Sequence, residues 1–153
     1  MKNSKHHLLK ESFDVLNRMN VLLVKEFEDL LDHQLTVKQT LLLQYIEQAG
    51  SLTVNQLAER MQSSPSAVSQ LVSKLEQLHF VKRETNENNR REVHVSLGTK
   101  GVELYETYAA LDAKLIDQYF SQLEEQDVQD FHRIVHKLQT FIEQGANEKF
   151  HAE

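Results

Sequence analysis

Residues Ser64 to Leu78 read SPSAVSQLVSKLEQL. At helical spacing Val68, Leu71, Val72, Leu75 and Leu78 share one face, at i, i+3, i+4, i+7 and i+10. The opposite face carries Ser66, Ala67, Ser69, Gln70, Ser73, Lys74 and Gln77. It is small, polar and short of acid, unlike the Glu- and Lys-crowded face of an ordinary solvated helix. Short hydroxyl side chains let a backbone come close to another surface. Gln and Lys supply donors to base edges and phosphates. Ser64 suits the N-cap, and Pro65 suits the first helical position, where a missing N–H costs nothing. The competing reading is a surface helix that happens to be rich in serine.

The segments before it set the context. Thr53 to Met61 reads as a short helix with a Thr53-x-x-Gln56 capping box and Val54, Leu57, Ala58 and Met61 inward. Only Gln62 and Ser63 separate it from the Ser64 helix, which is the spacing of a helix-turn-helix. Upstream, Thr36 to Gln48 repeats the capping-box start at Thr36-x-x-Gln39, and Gly50 stops it. Leu8 to Leu31 reads as a long helix with an apolar stripe through Leu9, Phe13, Leu16, Leu23, Phe27 and Leu30, and Asp29–Gln34 ends it.

After Leu78 the period changes from 3.6 to 2. Phe80 to Arg83 reads as one strand and Glu92 to Leu97 as another, with Val93, Val95 and Leu97 inward. Thr85 to Arg91 is the polar tip of a two-stranded wing. Gly98 or Thr99 caps the next helix, which runs to about Gln122; Leu123 to Glu125 turns; a last helix runs from about Gln126 to Gln144 and stops at Gly145. The expected architecture is mainly α: a winged helix-turn-helix lobe over 35–100, flanked by helices over 1–34 and 101–145, with a tail over 146–153.

Composition narrows the chemistry. The 153 residues contain no cysteine, which removes disulfides, thiolate metal sites and cysteine nucleophiles together. No run approaches the length of a membrane span, and the N-terminus lacks an apolar signal core, so a cytoplasmic protein without a membrane partner is expected. The net charge is −6, but it is unevenly spread. From Thr53 to Gly101 seven Lys and Arg face five Asp and Glu; from Val102 onward four face eleven. The local basic balance falls on the segment where phosphate binding needs it. No glycine-rich phosphate loop and no supported serine–histidine–acid set is present, so no enzyme and no cofactor is expected.

LTVNQLAERMQSSPSAVSQLVSKLEQLHFVKRETNENNRREVHVSLGTKG, about fifty consecutive residues, resembles the winged helix-turn-helix core of the MarR family of bacterial transcriptional regulators. The likeness rests on Leu57-Ala58-Glu59, the leucine- and valine-rich Ser64 helix, Val81-x-Arg83, Arg90-Arg91 and Leu97-x-x-Lys100-Gly101. Three positions depart: His79 stands where the family has glycine, Asn89 where it has the wing aspartate, and Gly98 where it has a threonine cap.

The resemblance implies a homodimer, with 1–34 and 101–145 as its dimerisation helices, whose paired Ser64 helices enter successive major grooves of a near-palindromic site, about one helical turn apart. It places Ser66, Ala67, Ser69 and Gln70 against base edges and Ser64, Ser73 and Lys74 nearer phosphates. Arg90 and Arg91 would reach flanking minor grooves. It further implies a repressor released by a small lipophilic or aromatic effector, in a cleft lined by Phe13, Leu16, Leu41, Tyr45 and Tyr105. Two alternatives stay open: a winged-helix protein-interaction module without DNA, and a metal-responsive regulator using His132 and His136, which lie i, i+4 on one helix.

Overall fold

The structure is a computed structural model that describes residues 2–27, 35–86 and 89–150. The expected helix end over Asp29–Gln34 lies outside the described residues. Two threonine hydroxyls start the helices of the central lobe. Thr36 accepts from the Gln39 N–H while the Gln39 side chain accepts from the Thr36 N–H, and Thr53 and Gln56 do the same. Each capping box satisfies two donors that a helix start leaves unpaired. They open α2 (Val37–Ala49) and α3 (Val54–Arg60). Helix α1 precedes them over Lys2–Glu26, earlier at both ends than the expected Leu8–Leu31.

Between Gly50 and the Thr53 cap lies a strand the sequence pattern does not announce, β1 (Ser51–Thr53). It pairs antiparallel with β3 (Asn89–Leu97), Leu52 opposite Val95. β3 in turn pairs with β2 (Val81–Asn86), Val81 opposite Leu97 and Arg83 opposite Val95. The expected two-stranded wing forms as β2 with β3, and β1 extends it to a three-stranded sheet in the order β1-β3-β2. A three-residue strand is too short to show a period, and its partner is remote in sequence. Pairing continues to Asn86 opposite Asn89, with an irregularity after Thr85. The polar stretch expected as tip is thus mostly strand.

Helix α4 (Pro65–Gln77) packs on α3. Ala58 is buried at 4% exposure, as a close crossing of two helices requires. Both helices end in the same way. After α3, Gln62 N–H donates to the Glu59 carbonyl and Ser63 N–H to Ala58; after α4, His79 N–H donates to Glu76 and Phe80 N–H to Leu75. This is the Schellman pairing, which needs a left-handed residue at its pivot. Gln62 (φ 49°) and His79 (φ 64°) fill it. His79 does take the glycine position, as its tolerance of this region allows.

The core joins Leu42, Leu43 and Ile46 of α2 to Leu57, Val68, Val72, Leu75, Val81 and Val95, all at or near zero exposure. Leu78, expected on that face, is exposed, because the backbone has already left the helix at the cap. Val93 is also exposed rather than inward; its cross-strand partner Thr85 is exposed too, beyond the reach of the core.

Helix α5 spans Thr99–Gln118, so its end precedes the expected Gln122; a 3-10 turn covers Phe120–Gln122. Helix α6 runs Glu125–Phe150, straight through Gly145. A lone glycine costs a helix about 1 kcal/mol, too little by itself to end one. The chain forms two compact units, residues 1–109 and 110–153. In the second, the rings of Phe120 and Phe131 meet at a tilt of 46° with centroids 5.9 Å apart. None of the described helices is long and apolar enough to cross a membrane.

Candidate nucleic-acid interface

The outer face of α4 is built by its cap. Ser64 Oγ accepts from the Ala67 N–H at 3.2 Å, and Pro65 opens the first turn. With Val68, Val72 and Leu75 held in the core, the helix can present only its opposite side. Ser66, Ala67, Gln70, Lys74 and Gln77 are exposed there, and Ser69 and Ser73 are half-buried. Ser66, Ser69, Gln70, Ser73, Lys74 and Gln77 line one shallow, open concavity. Six of the seven expected α4 contacts, Ser66, Ala67, Ser69, Gln70, Ser73 and Lys74, thus lie along one accessible stripe, with Ser64 at its start.

Ser73 is more committed than expected. Its hydroxyl donates to the Ser69 carbonyl at 2.9 Å and accepts from Arg83 Nη2 at 3.0 Å. Donation to a phosphate would require giving up the first of these bonds. Arg83 is the site residue that the motif reading passed over. Its Nη1 donates to Glu76 Oε2 at 2.5 Å and its Nη2 also reaches the Ser69 carbonyl at 3.3 Å. The alternation of β2 was the available signal. Arg83 sits two residues from buried Val81, on the same face and directly opposite buried Val95. On the other face Lys82 pairs with Glu84 at 2.7 Å, and this hydrogen bond and charge hold the Glu84 carboxyl below the usual carboxylate range.

The backbones of Arg90 and Arg91 belong to β3, on the wing. Their side chains, with that of Asn89, lie outside what the structure describes. The residues expected to line an effector cleft divide. Tyr45 and Tyr105 pack on the margin of the core, whereas Phe13 and Leu16 stand exposed along α1. Leu41 is half-buried. Tyr105 meets Tyr108 edge to face at 5.7 Å. Burial, with the Glu47 carboxylate and Tyr108 adding to it, pushes the Tyr105 hydroxyl up to about 12.

The rings of His132 and His136 lie side by side on α6, tilted by 55° with centroids 4.3 Å apart. Among the described residues no group of three or more His, Cys, Asp or Glu is placed to hold a metal ion.

A helix-turn-helix with a following β-hairpin defines a winged helix. The MarR family model matches residues 35–93, which hold α2 to α4 and most of the hairpin. The chain is 32% identical over 111 residues to the HTH-type transcriptional repressor MdtR of Bacillus subtilis, covering 72% of each chain. It is 26% identical to the YusO protein of Bacillus subtilis, whose crystal structure it matches with a TM-score of 0.65 over 92% of this chain and 98% of that one. Streptococcus pneumoniae FabT, solved in complex with DNA, shares the fold with a TM-score of 0.67 at 18% identity, over 90% and 96% of the two chains. The chain belongs to the MarR family. It is a transcriptional regulator and not an enzyme.

Proposed function

We propose that the protein is a repressor that binds a near-palindromic operator in double-stranded DNA as a homodimer and is released by a small lipophilic or aromatic effector. The observation that carries the DNA reading is the exposed stripe of α4, where hydroxyls, Gln70 and Lys74 share one shallow surface with no acid along it. Ser66, Ala67, Ser69 and Gln70 read base edges; Ser64, Ser73 and Lys74 lie nearer phosphates; Arg90 and Arg91 reach the flanking minor grooves. Support also comes from relatives: MdtR is a repressor, and the same fold occurs on DNA in FabT.

The homodimer reading rests on exposed apolar faces. On α1, Leu9, Phe13, Leu16 and Met19 are exposed; on α6, so are Val128, Phe131, Val135, Leu138 and Ile142, at spacings of three and four. Single chains rarely leave such stripes in water. The effector reading is supported by the half-buried Tyr45 and Tyr105 at the margin of the core. An effector would act by favouring a state that misfits DNA.

The test is selection of duplexes from a random library by the full-length protein, with sedimentation of the free protein. Recovery of an inverted repeat by a dimer is the expected result. A monomer, or a protein that enriches no sequence and shows no salt-sensitive binding to duplex DNA, overturns the reading and favours a protein-interaction module.

A further inference from the structure

We propose that Arg83 is the positioning residue of the DNA-reading surface: it fastens the root of the wing to α4, so that helix and wing meet the duplex as one body. This rests on the DNA-binding reading above. Arg83 belongs to β2, yet all three of its acceptors belong to α4: Glu76 Oε2, the Ser69 carbonyl and Ser73 Oγ. Two of them, Ser69 and Ser73, also line the candidate reading stripe. The Ser73 hydroxyl closes the network by donating back to the Ser69 carbonyl. A shift of β2 along α4 would break several bonds together.

The same geometry argues against two plainer roles. As a contributor to overall stability, the Arg83–Glu76 pair is weak, because the side chains keep 28% and 38% of their exposure and water screens them. As a phosphate clamp, Arg83 has its two terminal nitrogens aimed at the protein itself. What a planar, forked cation does well is hold several acceptors at fixed angles. Lysine keeps the charge and loses that fork.

The experiment uses the full-length protein and a duplex recovered by the selection described above, in two forms: with its flanks, and trimmed to the half-sites that the recognition helices cover. Arg83→Lys and Glu76→Gln are each expected to weaken binding to the flanked duplex about tenfold and to leave the trimmed duplex within about twofold. In an Arg91→Ala background, Arg83→Lys adds a smaller loss than it causes alone, because part of the wing contribution is already gone. The exchanged pair Arg83→Glu with Glu76→Arg binds the flanked duplex better than either single change.

Equal losses on both duplexes would mean a general structural role and overturn the proposal. So would additive losses with Arg91→Ala, or normal binding by Arg83→Lys, which point to a direct charge contact. Glu76→Gln, read alongside its melting temperature, keeps the proposal falsifiable if the Arg83 variants fold poorly. If the unaltered protein selects no duplex, the DNA-binding reading falls and this inference with it. If it binds and Glu76→Gln discriminates nothing, only this inference falls.

Discussion

Gly101 lies against the carbonyl of Phe80, so close that a methyl group on its Cα would overlap that oxygen. Gly98 makes a similar approach to His79. The first turn of α5 is laid directly on the turn that ends α4: Gly98 N–H donates to the Phe80 carbonyl at 2.9 Å, and Lys100 N–H to the His79 carbonyl at 3.1 Å. The wing exit is thereby tied to the α4 exit by backbone alone. Gly101→Ala should cost about 1–3 kcal/mol, the range for forcing an extra carbon into a packed site. Urea unfolding of the variant beside the unaltered protein measures it, and equal midpoints would refute the close approach.

His79 shows the opposite case. It holds φ 64°, where a Cβ is penalised, at the pivot of the α4 cap. His79→Gly removes that strain but makes the unfolded chain more flexible. The first effect is about 1–2 kcal/mol and the second about 0.4–1. The variant is therefore expected to be more stable, by about 0.5–1 kcal/mol, with the same structure. A fall in melting temperature would mean that the imidazole makes a contact worth more than the strain.

The parts of this fold that could be read from the chain are those coded locally. Thr36-x-x-Gln39, Thr53-x-x-Gln56 and Ser64-Pro65 mark helix starts through bonds that span three residues, and the structure forms each of them. Three features were hidden. Strand β1 exists only because Val95 arrives from far along the chain to pair with Leu52. The run of α6 past Gly145 depends on a balance that one glycine does not tip. The Arg83 network depends on which α4 atoms lie under the inward face of β2, and Val81-x-Arg83 supplies the face without the partners. Of the α4 site, the exposed stripe was legible because Val68, Val72 and Leu75, with Leu71 packed beside them, dictate the opposite face. The full commitment of Ser73 was not, since one of its two partners, Arg83, lies on another element.

Tyr105 predicts a pH dependence. Its hydroxyl is raised to about 12 by burial first, then by Glu47 and Tyr108. An unfolded tyrosine titrates near 10. Between these values the unfolded chain releases a proton that the folded chain keeps, so deprotonation favours unfolding. The contribution of Tyr105 is intact below about pH 10 and is lost as pH rises toward about 12. Tyr105→Phe should flatten the fall in stability across that window. Unfolding curves at pH 9, 10 and 11 that keep the same slope in the variant would remove Tyr105 as the cause.

Gln70 and Lys74 separate two kinds of contact on the same stripe of α4. Both are exposed and line the same shallow concavity. A Gln amide can pair with the edge of an adenine, and such a bond is worth about 1–3 kcal/mol of discrimination. A Lys ammonium near a phosphate contributes charge without sequence information and releases about one counterion. Gln70→Ala is therefore expected to weaken the selected duplex and relax the preference at one base pair of each half-site. It should leave the salt dependence unchanged. Lys74→Ala should weaken all duplexes alike and reduce the slope of log K against log salt by about one per subunit. Arg91→Ala should also lower the salt dependence, through the flanks. Because Gln70 and Lys74 lie on an exposed face, the melting temperatures of their variants should stay close to that of the unaltered protein. If Gln70→Ala retains full affinity and full base preference at every position, the stripe is not read in the groove, and the orientation assigned to α4 is wrong.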